Sequence, residues 1–380
     1  MTQRTRCGTC SEVFRLMFWV LCSQAVLAAQ LCVAPDLPVG PPKSPALLMD
    51  LGHFRQAEAI LEPLAQAHPE DANAAWLLSR AKAGLGDLDT ALKLAERALL
   101  TDDGNAAYHV QVAAVVGRMA EKASLLKQLG LAKRARKELD TALALDPRNL
   151  DALFGLMLYY YAAPSFIGGD KQKAQQMADA MTDIHPARGY LAQARLAKER
   201  NDPAREEEFY LKAIEADPQY YEANATLSSY YLEMSKPDYA NAEKYACEAL
   251  AIDPGGEQAW KNLAEIVAAK QCWTELDTLV AEAAERNPQD LASYYVAATA
   301  LLQMGHLYEV AGGYLRKYLA QPPDANEPSL GYAHWKLAAI LDKQGRRLEA
   351  VAEVERALDE EPSLEGAKKD LKRLRSKSQT

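Results

Sequence analysis

A chain of 380 residues with 49% hydrophobic and 25% charged side chains has the composition of a folded protein with ample apolar surface to bury. Its formal net charge of −9 makes it a poor partner for nucleic acid, and no basic stripe interleaved with aromatics appears before the last helix. The length would accommodate two or three ordinary domains, but a fixed internal period takes precedence over that count.

The first 29 residues read as an export signal. Arg4, Arg6 and Arg15 lead into the short apolar run from Leu16 to Ala28, where Val26 and Ala28 meet the small-residue requirement for cleavage. An uncleaved membrane anchor is the alternative, because Val13 to Ala34 approaches spanning length, although Arg15, Ser23, Gln24 and Gln30 are costly in lipid. The implied location is periplasmic or secreted, or else the inner membrane with the remainder outside the cytoplasm. Cys7, Cys10, Cys22 and Cys32 lie in or beside this leader, and the spacing of Cys7 and Cys10 has no second pair to complete a metal site. A Pro-rich linker occupies residues 30–45.

From Ala46 onward the chain repeats. Pro69, Pro147, Pro186, Pro218, Pro254, Pro288, Pro322 and Pro362 recur, most of them five residues after one small residue and twelve after another, as in Ala135, Ala142 and Pro147 or Ala350, Ala357 and Pro362. The period is 34 between Pro254, Pro288 and Pro322. Each unit predicts two amphipathic helices. In one unit, Trp260, Leu263, Ala264 and Val267 form the first stripe, and Leu276, Val280, Ala283 and Ala284 the second. Gly52, Gly86, Gly130, Gly169, Gly305 and Gly345 are placed where a first helix must stop, and each proline ends its unit.

Two units are irregular. The third, from about Ala106 to Pro147, is some ten residues too long, with a surplus from Met119 to Leu129 that predicts a projecting first helix. The fourth breaks its turn between Ala163 and Asp170, and its Phe166 and Ile167 are expected to tuck back against the stack. Cys247, within a second helix, and Cys272, at the next turn, are expected to be two separate thiols. After Pro362, Leu364, Ala367, Leu371 and Leu374 interleaved with lysines predict a capping helix, and residues 376–380 a disordered tail.

These proline, alanine and glycine positions resemble the tetratricopeptide repeat family, in nine units ending at Pro69, Asp103, Pro147, Pro186, Pro218, Pro254, Pro288, Pro322 and Pro362. Asp103 departs from the pattern, as do Glu206, Leu276 and Val310 at the first alanine position and Leu64, Met181 and Lys317 at the second. The resemblance implies an all-α fold, an α-solenoid of about nine helix pairs, continuous over residues 46–375 with its C-terminal capping helix. The segment from Pro164 to Gly169 is similar to a loop of exported bacterial repeat proteins, among them the periplasmic T-component associated with some solute transporters.

Family geometry implies a concave groove lined from the first helices. The corresponding residues are Asn73, Trp76 and Arg80; Phe154, Leu158 and Tyr161; Lys261 and Glu265; Tyr295 and Thr299; Tyr332, Trp335 and Ala339. Each aromatic serves either as inter-repeat core or as a contact, and together they favour a binding surface. The lysine and asparagine clamp that some family members use for acidic tails is absent, since Lys261 is followed by Glu265.

Catalytic signatures are sparse. The six histidines are scattered, and none pairs at metal-ligand spacing. Ser79 with Lys82 and Ser124 with Lys127 match a hydrolase spacing without its companion motifs. Glu206, Glu207 and Glu208 read as a solvated face. The expectation is a non-catalytic exported scaffold or adaptor that holds a protein or peptide segment, with no cofactor or metal and no membrane contact beyond the leader. A transport-associated component guiding a small ligand is the alternative, and an enzyme built from repeat helices a remote one.

Overall fold

The structure is a computed structural model, and it describes residues 44–50, 52–121, 123–324 and 327–376. The leader, nearly all of the Pro-rich linker and nearly all of the tail lie outside the described residues. Ser44 and Pro45 precede or open the first helix, and Ser376 closes the last.

Among the described residues there are nineteen α-helices and no strand. They form nine pairs and a cap, the expected α-solenoid: α1 (Pro45–Asp50) with α2 (Phe54–Ala67), α3 (Ala72–Gly84) with α4 (Leu88–Thr101), α5 (Ala106–Glu121) with α6 (Leu125–Leu145), and α7 (Leu150–Ala162) with α8 (Lys171–Ile184). Next come α9 (Pro186–Glu199) with α10 (Pro203–Ala216), α11 (Tyr221–Glu233) with α12 (Tyr239–Ile252), and α13 (Glu257–Ala269) with α14 (Trp273–Arg286). The last pairs are α15 (Ala292–Met304) with α16 (Tyr308–Tyr318) and α17 (Leu330–Lys343) with α18 (Arg347–Glu360), followed by the cap α19 (Glu365–Ser376). The described helices include none long and apolar enough to cross a membrane.

Two compact units divide the chain. One runs to Tyr230 and includes Asp324 and Glu327; the other comprises Tyr231–Pro323 and the residues from Pro328 onward. In both, the small residues at the repeat positions of the second helices are buried. Ala57, Ala91, Ala98, Ala142, Ala174, Ala213, Ala242, Ala249, Ala350 and Ala357 are all fully buried. A larger side chain there would force neighbouring helices apart, at a cost of about 1 to 3 kcal/mol.

Starts and stops follow local chemistry. Asp71, Asp87, Asn149, Asp170, Asp202 and Asp238 accept hydrogen bonds from backbone N–H groups of the first helical turn. A further tie recurs six residues after the end of a unit. Trp260 Nε1 donates to the Pro254 carbonyl at 2.9 Å, Asn224 Nδ2 to that of Pro218 at 3.4 Å, and His109 Nε2 lies 2.9 Å from that of Asp103. Three different side chains thus anchor a first helix to the turn before it.

Several expectations are corrected. Pro186 does not end α8 but is the first residue of α9, where its missing N–H has no intrahelical role and His185 caps the helix. Gly130 lies inside α6, because that helix already begins at Leu125, after Ala123 and Ser124. The surplus of that pair therefore extends its second helix, 21 residues long, more than its first, 16 residues long. Asn201 and Gln271 take up the left-handed turn geometry that glycines supply in other pairs, and Leu307 adopts it two residues after the left-handed Gly305. The eighth pair runs one residue late, so Ala311 fills the buried position assigned to Val310, and Val310 is exposed. Glu206 is buried beneath Tyr210, whose hydroxyl donates to it at 3.2 Å, and is no part of a solvated face. Cys272 is a buried thiol and Cys247 is disulfide-bonded but not to Cys272, so the expectation of two separate thiols does not hold.

Candidate functional site

In the first unit the proposed groove residues begin with Trp76 and Arg80, one turn apart on α3. The Arg80 guanidinium lies 5.3 Å from the Trp76 ring centre, and the indole also meets the Tyr108 ring at 6.0 Å. Trp76 is half-buried against Ala75, Ala98 and Tyr108, so it bridges the second and third pairs while keeping an edge in solvent. Phe154 and Tyr161 lie on α7. Phe154 keeps 37% of its surface exposed. Tyr161 packs on the core, donates its hydroxyl to the Glu199 carbonyl at 2.7 Å and carries the Lys171 ammonium 5.0 Å from its ring centre.

In the second unit, Lys261 and Glu265 lie on α13. Lys261 forms an ion pair with Glu257 one turn earlier. The Glu265 carboxyl is pushed up from the ordinary carboxylate range, first by the protein that surrounds it and then by the nearby Glu233 carboxylate. Tyr295 on α15 packs at a tilt on Tyr318, with ring centres 5.2 Å apart, and burial, with a smaller effect from Tyr332, pushes its phenol up to about 12. Tyr332 and Trp335 on α17 have ring centres 6.0 Å apart. They differ in support. Tyr332 is 40% exposed, whereas Trp335 lies over Gly366 of the cap and donates Nε1–H to Asp370 at 2.9 Å.

Two pairs therefore form among the nine residues, Trp76 with Arg80 and Tyr332 with Trp335, while Tyr295 packs on Tyr318, which is not one of them. Aromatic edges, a guanidinium and phenol hydroxyls offer apolar area with directional polar groups, which suits a polypeptide. The candidate hydrolase residues serve structure instead. Ser79 is buried, donates to the Ala91 carbonyl at 2.7 Å and accepts from Gln111, while Lys82 pairs with Glu58 and Glu62. His109 meets Glu138 at 2.7 Å, and His334 meets Glu353 at 2.6 Å.

Two further features lie in the first unit, and only the first of them had no sequence signal. One is a polar network between α8 and α9, in which Asp179 accepts from Gln175 and Gln193 at 2.9 and 2.7 Å and Arg200 donates to Gln175 at 2.9 Å. The other is the loop after α7. Its 3-10 turn, Ser165–Ile167, is held by the Tyr159 hydroxyl, which donates to the Ile167 carbonyl at 2.5 Å, and by Asp170 N–H, which donates to the Tyr160 carbonyl at 2.8 Å. Gly169 is obligatory, because a Cβ there would lie 1.7 Å from the Ala163 carbonyl oxygen. Only half of the expected tucking occurs: Ile167 is half-buried, but Phe166 points outward with 78% of its surface exposed.

Comparison with known families matches tetratricopeptide repeat models to residues 48–114 and 187–220. Comparison with curated proteins gave no match. Among solved structures, the chain is similar to a thermophilic TPR protein of Thermus thermophilus, with 19% identity, 50% of this chain and 95% of that chain covered and a TM-score of 0.44. It is similar also to yeast Tom70, with 15% identity, coverage of 88% and 80% and a TM-score of 0.48. The APC/C hetero-tetramer Cut9–Hcn1 gives 13% identity, coverage of 84% and 59% and a TM-score of 0.45.

Proposed function

We propose that this tetratricopeptide repeat protein is a non-catalytic scaffold that binds an extended or helical segment of a partner protein along the exposed aromatic positions of its first helices. The observation that carries this reading is the exposure of Phe154 and Tyr332, each on a first helix, one in either unit. Large aromatic rings left partly in water on an otherwise alanine-packed framework offer contact area at small entropic cost. Trp76 with Arg80 in one unit and Tyr295 with Glu265 in the other add half-buried edges and polar tips, each within its own unit. Burial of Ser79 and pairing of Lys82, His109 and His334 support the non-catalytic reading, since their polar atoms serve packing.

Two alanine variants test it. Phe154→Ala and Tyr332→Ala are expected to keep native helicity and lose less than about 1 kcal/mol of stability. At the same time, capture of the native partner should weaken about tenfold or more at the stronger contact. Unchanged capture by both variants would remove the aromatic face from the function.

The scaffold works outside the cytoplasm. The support is the arginine-led apolar run ending at Ala28. Expressed with its leader in a Gram-negative host, the protein should be recovered from the periplasm with a new N-terminus between about Gln24 and Leu31. An intact Met1 in the membrane fraction would favour the anchor, and an intact Met1 in the cytoplasm would refute export.

A further inference from the structure

A second surface, which includes none of the nine candidate groove residues, lies on the extended helix α6, Tyr159 of α7 and the turn that follows. Along an α-helix at about 100° per residue, Leu126, Lys133, Lys137 and Ala144 fall within about 20° of one line, and all four are exposed. Leu126 is 84% exposed and its neighbour Leu125 71%, at the end of a helix seven residues longer than the 14-residue second helices of other pairs. Beside this stripe is an open depression of about 460 Å³ lined by Lys133, Arg136, Lys137, Asp140, Tyr159 and Ile167, among others.

The depression is basic in an acidic protein. Arg136 neutralises Asp140 at 3.4 Å and lies against the rings of Tyr159 and Tyr160 at 5.5 and 5.3 Å. Lys173 approaches the Tyr160 ring at 5.5 Å. Lys133 and Lys137 form no ion pair among the described residues, so two positive charges face the depression without a partner. Phe166, exposed on the pinned 3-10 turn, is the chain neighbour of the lining residue Ile167, and the exposed leucines stand at the start of the same helix that carries the two lysines. Leu126 precedes Arg136 by ten residues, about 15 Å of helix.

We propose that this surface docks an acidic segment of a partner protein, in which carboxylates seated between Lys133 and Lys137 are flanked by apolar side chains that meet Phe166 and Leu126. Charge complementarity selects the acid, and the two exposed apolar groups select its neighbours. The cations line a shallow, open depression beside the Tyr159 ring, where carboxylate side chains of a peptide can reach them. The inference is independent of the first-helix aromatic face, because it shares none of its residues.

A random dodecapeptide display library selected on the full chain tests it, with a Lys133→Gln, Lys137→Gln chain as counter-selection. The expected peptides carry two or more Asp or Glu among apolar residues. A synthetic peptide of that consensus should bind at least about tenfold more weakly to a Lys133→Glu, Lys137→Glu chain and about threefold more weakly to Phe166→Ala, while binding Phe154→Ala, Tyr332→Ala unchanged. Its affinity should fall as NaCl is raised. Circular dichroism of each variant checks that it is folded. Failure to enrich acidic peptides would overturn the proposal, as would binding indifferent to both lysine variants. Lysine-dependent binding confined to phosphatidylglycerol vesicles would assign the surface to a membrane and overturn it likewise.

Discussion

Tyr332 and Trp335 show how two aromatics three residues apart on one helix acquire different roles. Both belong to the same first-helix pattern, but the cap supplies Gly366 and Asp370 beneath the indole and nothing comparable beneath the phenol. Truncating Trp335 to alanine removes that contact and leaves Asp370 without the indole donor. A fully buried tryptophan would cost about 3 to 5 kcal/mol, so a half-buried one should cost about 2. Tyr332→Ala should cost less than half as much. Urea denaturation of the two variants measures the contrast, and equal losses would show that the cap does not depend on the indole. Spacing alone places both rings on one face; it carries no information on the cap, which is contributed by residues some 30 positions later.

At the scale of helices, the recurrent alanines and prolines are legible because they are local consequences of packing and chain direction. Ala98, Ala142 and Ala249 are buried as their spacing implies. Other positions mislead where two physical roles share one residue type. Proline both stops a helix and starts one, and Pro186 does the latter. A glycine near the expected turn position reads as the turn itself, yet Gly130 lies inside α6. Glu206 reads as solvated from its charge and its acidic neighbours, although it holds the first alanine position of its unit; it is buried, and the Tyr210 hydroxyl one turn later donates to it. Gly189 is a stricter case. A Cβ there would lie 2.2 Å from Thr182 Cα and 2.3 Å from Thr182 N, so α8 and α9 meet backbone to backbone. Backbone cannot rotate away as a side chain can, and Gly189→Ala should cost about 2 to 3 kcal/mol by overpacking, despite the better helix propensity of alanine. A denaturation midpoint equal to that of the unsubstituted chain would show that the two helices separate freely.

For the molecule as a whole, nine helix pairs and a cap follow from a repeat that each unit states for itself, which is why the architecture can be read before any contact is known. The binding surfaces are less legible. First-helix periodicity identifies the aromatic positions, but not which rings keep their faces in water, since that depends on the size of neighbours in adjacent pairs. The basic depression has no sequence signature, because Lys133 and Lys137 on one helix and Tyr159 and Ile167 in the next pair converge only in three dimensions. The central claim is that the exposed first-helix aromatics contact a partner protein in the cell. Photocrosslinking from benzoylphenylalanine placed at position 154, at 332 and, as a control, at Leu348, which is 83% exposed on α18, measures this directly in the native host. Discrete adducts with one protein from positions 154 and 332, and none from 348, are predicted. Adducts from none of the positions, or equally from all three, would contradict the account.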